Sequence, residues 1–241
     1  MVDDRRTRAS WRPVLSCEHA SNRLPERYAD LVPQELLETH EGWDPGARIL
    51  ARSLARTLRA PLIEGRFTRL LVDLNRSRTN PSVLSEATAL LPVGEREELL
   101  DAYHAPYRRE VRERIEEELD RGERVVHLSV HTFTPVLQGR VRSVDLGVLF
   151  DPDAPQEAEL AERVMTALRA ALPEARVRPN EPYLGTSDGL TRTLRGKLPG
   201  DRYAGLELEV TQVWAERGDW EVRCQAIGHA VAAALGLQSR P

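Results

Sequence analysis

The chain has 241 residues, 41% of them hydrophobic and 30% charged, which suits a single globular domain with a substantial core and excludes a disordered tail protein or a disulfide scaffold. No apolar run approaches the ~18 residues of a bilayer-spanning helix. Its 34 basic residues against 38 acidic ones give a net charge of −4, which excludes a general nucleic-acid footprint.

Residues 1–12 read as a short polar segment ahead of a domain over 13–241. Met1–Ser10 is polar and Arg-rich with no apolar segment behind it, so no secretory leader is predicted. The first strand is predicted at Val14–Ser16 and a helix follows over Gly46–Arg59. Apolar runs then predict strands at Pro61–Glu64 and Leu70–Leu74. The spacing of Leu99, Tyr103, Tyr107, Val111, Ile115 and Leu119 predicts a long helix over Glu95–Arg121. Strands at Arg124–Val130 and Val144–Phe150, a helix over Gln156–Leu172, a strand at Gly205–Val210 and a helix around Val222–Leu235 complete the series. Pro and Gly mark loops at Pro92–Gly94, Asp151–Pro155 and Pro179–Gly189. The alternation is that of one α/β domain. Two distant cysteines, Cys17 and Cys224, form neither a zinc ribbon nor a C-x-x-C motif and fit a cytoplasmic chain.

The chemistry gathers at strand ends, where open α/β sheets bind ligands. The first strand runs into Cys17-Glu18-His19-Ala20-Ser21-Asn22, and the predicted 70–74 strand into Asn75-Arg76-Ser77-Arg78. His131 follows Val130, and Glu207 and Glu209 are set inside an apolar strand. Two histidines, an arginine pair and an acid from separate strands make a plausible metal-hydrolase set. Each has a plainer reading: a strand-end His as a hydrogen-bonding residue, Glu207 and Glu209 as the wet side of a half-exposed strand, Arg76 and Arg78 as surface charge. His127, four residues before His131, points to the same face and reads as a sheet residue or as support behind a ligand, not as a direct ligand. His104 and His229 fall in helical patterns and read as structural. Gly185-Thr186-Ser187-Asp188-Gly189 matches a nucleophile elbow, with Asp219 and His229 in hydrolase order. Pro179 and Pro182 interrupt the strand such an elbow needs, so a serine hydrolase using Ser187 is the lesser alternative.

Five motifs in order resemble the N-formylglutamate amidohydrolase family: Ser16-Cys17-Glu18-His19-Ala20-Ser21-Asn22, Trp43-Asp44-Pro45-Gly46-Ala47, Val72-Asp73-Leu74-Asn75-Arg76-Ser77, His131-Thr132-Phe133-Thr134-Pro135 and Glu207-Leu208-Glu209-Val210. The resemblance implies a zinc carboxypeptidase-like fold, a mixed twisted sheet with helices on both faces. It also implies a zinc-dependent cleavage of the N-acyl amide of an acidic amino acid such as N-formyl-L-glutamate, giving formate and glutamate. Carried over, His19 and His131 are ligands of one Zn²⁺, Glu209 is the general base, and Asn75 and Arg76 grip a substrate carboxylate. Carboxypeptidases place a glutamate where Asn22 stands here, so the third ligand falls to Asp44, with Glu18 behind it. Asp44 before Pro45 also reads as a helix start. Arg142 is a candidate for a second carboxylate, Tyr183 for a residue reaching over the site, and Arg69 for polarising the scissile carbonyl. The partner expected is a small anionic molecule, with no role for nucleic acid or membrane. Another N-acyl amino acid or peptide as substrate, and a non-catalytic binding homologue, stay open beside this reading.

Overall fold

The computed structural model describes residues 11–237. The strands are β1 (Trp11–Cys17), β2 (Leu62–Glu64), β3 (Arg124–Phe133), β4 (Val136–Leu137), β5 (Arg140–Val141), β6 (Leu146–Leu149), β7 (Val177–Pro179) and β8 (Tyr203–Thr211). The helices are α1 (Gln34–Leu37), α2 (Ala47–Leu58), α3 (Glu86–Ala89), α4 (Val93–Leu99), α5 (Ala105–Asp120), α6 (Pro155–Ala171), α7 (Leu190–Arg195), α8 (Gln212–Ala215) and α9 (Trp220–Leu235). Six strands form one sheet in the order β2-β1-β3-β8-β6-β7. Strands β2, β1, β3 and β8 are mutually parallel, and β6 and β7 run against them. The sheet is therefore mixed, as expected. Strands β4 and β5 form a separate hairpin.

Period-2 alternation divides the sheet into two faces. Leu15, Val126, Leu128, Val130, Leu206, Leu208 and Val210 pack with α2, α6 and α9 in one apolar core. The other face meets α5 and α7, whose Val111, Ile115, Leu190 and Leu194 join Val14, Val125 and Tyr203 in a second core. That second face also carries Ser16, His127, Ser129, His131, Glu207 and Glu209, all buried. All nine residues of β8 are buried, so its alternating acids do not lie on a wet face.

Four details differ from the sequence reading. Trp11 and Arg12 pair with Arg124 and Val125, so β1 takes in the end of the polar segment; residues 1–10 lie outside the described residues. Leu70–Leu74 is a buried loop and not a strand. Its Leu71 N–H bonds Thr68 O at 3.1 Å and its Asp73 N–H bonds Val83 O at 2.8 Å, while Leu71, Val72 and Leu74 fill the second core. A short apolar run signals burial without specifying the backbone that achieves it. Pro179 ends β7, an edge strand, where a missing N–H costs no ladder bond. The long helix joins α4 to α5 through a π turn, Leu100–His104, just before Pro106, which has no N–H to give to the regular ladder. No helix among the described residues is long and apolar enough to cross a membrane.

Candidate active site

The site is assembled where β1 and β3 end and β8 passes beside them. Strand β1 stops at Cys17, and the chain turns through Glu18 to His19. Backbone bonds bring Asp44 alongside: its N–H bonds His19 O at 3.0 Å, and Thr132 Oγ1 holds Pro45 O at 2.8 Å. Asp44 does not cap a helix. Helix α2 begins after Gly46, at φ 89°, where a Cβ would meet Ala215 Cβ at 2.5 Å. The Asp44 carboxylate is thus free to face the histidines.

His19 Nδ1 lies 3.4 Å and His131 Nδ1 2.9 Å from the same atom, Asp44 Oδ2. One ligand-type atom from each of the three buried side chains lies within 4.8 Å of the others. The far ring nitrogens are anchored as well. His19 Nε2 meets Asp73 Oδ1 at 2.8 Å. His131 Nε2 lies 2.9 Å from Ser129 Oγ and 3.1 Å from Glu18 Oε2, and Ser129 Oγ donates to Glu18 at 2.7 Å. An anchored far nitrogen fixes tautomer and ring orientation in metal-binding histidines. Glu18 therefore stands behind His131, and Asp73 does the same behind His19. Asp73 had no role in the reading of the sequence, although an acid between Val72 and Leu74 was its visible signal.

The charges reinforce one another. Burial opposes ionisation throughout, yet Asp44 and Glu18 outweigh it and raise His131 well above the usual imidazole range. His19 is raised by Asp73 and Asp44 against burial and the Arg69 charge. In return, both histidines hold Asp44 well below the carboxylate range despite burial, His131 with the Ser16 and Ser129 hydroxyls does the same for Glu18, and His19 with Arg69 for Asp73. Two imidazole nitrogens and a carboxylate oxygen thus converge in surroundings that favour positive charge, a donor set that fits one divalent ion.

Glu209 sits opposite His131 in the β3–β8 register. Its Oε2 is buried with no hydrogen-bond partner among the described residues. Burial, against the pull of His131, pushes its carboxyl up to about 8, with Asp44 and Glu207 adding to the rise. A cavity of about 170 Å³ joins these groups, and its wall includes His19, Asp44, His131, Glu209, Asn75, Arg76, Arg69 and Tyr183. Arg69 Nη2 donates to Asp73 at 3.0 Å, and its Nη1 lies 3.5 Å from Asp44. Arg76 Nη1 donates to Asp188 O at 2.7 Å. Behind this pair, His104 Nε2 meets Arg76 O at 2.8 Å, and Arg108 Nη1 bonds the carbonyls of Leu74, Asn75 and Arg76 at 3.0, 3.0 and 2.9 Å. Nothing in the charged face of the long helix singled out Arg108 for that duty.

Of the predicted site residues, Arg142 is not on the cavity wall. It donates to Tyr183 Oη at 2.8 Å and to Thr134 O at 3.2 Å, and its guanidinium stacks 4.8 Å from the Tyr183 ring centroid. Gly147 lets the Tyr183 loop approach, since a Cβ there would lie 1.7 Å from Glu181 O. Ser187 lines the cavity, but its motif partners are elsewhere. Asp219 is bonded to Arg223, and His229 lines a different cavity with Arg12 and Arg56. The elbow is not assembled. Of the two readings of His127, the sheet residue holds: it meets Ser16 Oγ at 2.7 Å and Tyr203 Oη at 3.1 Å, and burial pushes it down to about 4.

The model of the family described as N-formylglutamate amidohydrolase matches residues 12–214. Among solved structures, the gene product Atu2144 from Agrobacterium tumefaciens is 32% identical, with a TM-score of 0.79 over 95% of this chain and 90% of that one. An N-formylglutamate amidohydrolase from Ralstonia eutropha JMP134 is 20% identical, with a TM-score of 0.72 over 95% of this chain and 94% of that one. The latter shares the fold. No curated protein sequence matches the chain.

Proposed function

The chain belongs to the N-formylglutamate amidohydrolase family, and from that premise we propose a zinc-dependent enzyme that hydrolyses the N-acyl amide, formyl above all, of an amino acid. The observation that carries this reading is the meeting of three ligand-type side chains, an unpartnered acid and an Asn–Arg pair on one small cavity. His19, Asp44 and His131 would hold the ion, and two imidazoles with one carboxylate favour zinc. When bound, such an ion supplies Lewis-acid chemistry, acidifying water and polarising the scissile carbonyl.

The protein's own groups do the rest. Glu209, whose carboxylate form a cation held by His19, Asp44 and His131 would favour against burial, takes the proton of the attacking water and returns it to the departing amine nitrogen. Formate and the free amino acid leave, with N-formyl-L-glutamate as the reference compound. Arg76 and Asn75 orient the substrate's α-carboxylate. Arg69, held by two aspartates, faces the charge that develops on the carbonyl oxygen. Arg142 acts through Tyr183, which stands at the cavity mouth. At about 170 Å³ the cavity falls below the ~300–1,000 Å³ of sites for drug-sized ligands, which favours a single N-acyl amino acid over a peptide. The partner is then a small anionic molecule, and the two buried free thiols suit a cytoplasmic setting.

Formate release from N-formyl amino acids by the zinc-loaded protein tests the reading. A chelator should abolish turnover and added zinc restore it. Full activity after the metal is removed, or none with the metal bound, contradicts it.

A further inference from the structure

Arg142 carries a charge that no acid meets among the described residues. Its Nη1 donates to Thr134 O at 3.2 Å and its Nη2 to Tyr183 Oη at 2.8 Å, both neutral acceptors. Its guanidinium lies 5.4 Å from the Phe133 ring centroid and 4.8 Å from that of Tyr183, and its backbone N–H bonds Pro135 O at 2.9 Å. A half-buried cation is thus fixed against two rings by contacts that do not neutralise it. Arg69, on the cavity wall, is by contrast neutralised by Asp73 and Asp44.

This charge reaches the cavity through Tyr183, which lines the wall and is 44% exposed at the mouth. Because Arg142 donates to Tyr183 Oη, the hydroxyl's own proton points elsewhere, and it meets no acceptor among the described residues. A phenol has one O–H to give, and a hydroxyl bonded to a cation donates to an anion more strongly than a free one. At the Asn75–Arg76 pair, which takes the α-carboxylate in the proposed reaction, the nearby acids already have donors. Asp188 is met by the Ser77 N–H at 3.0 Å and the Asn80 amide at 2.6 Å, and Glu207 by Thr191 Oγ1 at 2.5 Å. The cavity therefore has a second anion-binding point, at its mouth.

We propose that Tyr183 and Arg142 act as one unit that selects a substrate by a carboxylate on its side chain. The Tyr183 hydroxyl donates to that carboxylate, and the Arg142 guanidinium behind it supplies the charge. Tyr183 is the group that touches the substrate, and Arg142 is a positioning residue. The proposal rests on the hydrolase reading and names the side chain that this reading leaves open.

The test measures kcat/KM of the zinc-loaded protein for N-formyl-L-glutamate and N-formyl-L-glutamine, which match in size and differ in side-chain charge. The ratio should be about tenfold or more in favour of the glutamate compound. Tyr183→Phe, which keeps the ring and removes the hydroxyl, should bring the ratio toward one. Arg142→Gln should do the same, and the double variant should lower the ratio no further than either single one, because the two residues act together. A ratio of one or below in the unmodified protein overturns the proposal and needs no variant to fold. So does an unchanged ratio in either folded single variant, or single losses that multiply in the double variant. If neither compound is cleaved, the hydrolase reading fails separately. Calorimetric binding of L-glutamate against L-glutamine then decides: a preference for glutamate that Tyr183→Phe removes supports the unit, and equal affinities overturn it.

Discussion

The two faces of the sheet, drawn from the same strands, are built to different ends. Along β3, Val126, Leu128 and Val130 enter a core of aliphatic side chains under α2, α6 and α9. Between them His127, Ser129 and His131 face the other way, equally buried. A buried polar group needs a partner, and on this face nearly every one finds it. His127 is bonded on both ring nitrogens by Ser16 and Tyr203. Ser129 is shared by Glu18 and His131. Glu209 is left with an unpartnered oxygen, and that is where the chemistry is proposed. One face gives stability through packing, and the other leaves unmet bonding capacity on two carboxylates beside the histidines, Glu18 and Glu209.

This contrast can be broken from either side. The largest expected effect is that of Glu209→Gln, which should cost about 10²–10⁴ in formate release while leaving the melting temperature unchanged or higher, because an unpartnered buried acid is removed. On the opposite face, Leu128→Ala should cost about 2–5 kcal/mol in denaturant unfolding without changing bound metal.

Next comes a pH effect seated between the two. Burial holds folded His127 at about 4, below the ~6.5 of an unfolded chain. As pH falls below the unfolded value, the unfolded chain gains a proton that the folded chain refuses. This contribution is full above pH ~6.5 and is lost toward pH ~4, about 3 kcal/mol in all. His127→Gln should flatten the stability profile over that window, and an unchanged slope would contradict the account. The smallest effect is Asp73→Asn, which should weaken metal affinity about 10–100-fold, measured by chelator competition, with the fold intact.

Much of this was legible in the sequence because alternation is a geometric constraint. The spacing of His127 and His131 put both on one face, and the apolar residues around Glu207 and Glu209 marked a strand. Side-chain partnership across the sheet was less legible. Neither the support of Glu18 for His131 nor that of Asp73 for His19 follows from local spacing, since each depends on which strands become neighbours. The Leu70–Leu74 run revealed its burial but not its loop backbone, and so hid the fact that Asp73 faces the site. Arg142 looked like a direct contact because sequence does not show that it meets the cavity wall through Tyr183.

The central claim is that His19, Asp44 and His131 hold one divalent ion. Elemental analysis of the zinc-loaded, dialysed protein measures this directly. The account predicts about one zinc per chain, falling well below that in each of His19→Ala, Asp44→Ala and His131→Ala while the proteins stay folded by circular dichroism. A ratio near zero in the unmodified protein, or an unchanged ratio in the three folded variants, would contradict it.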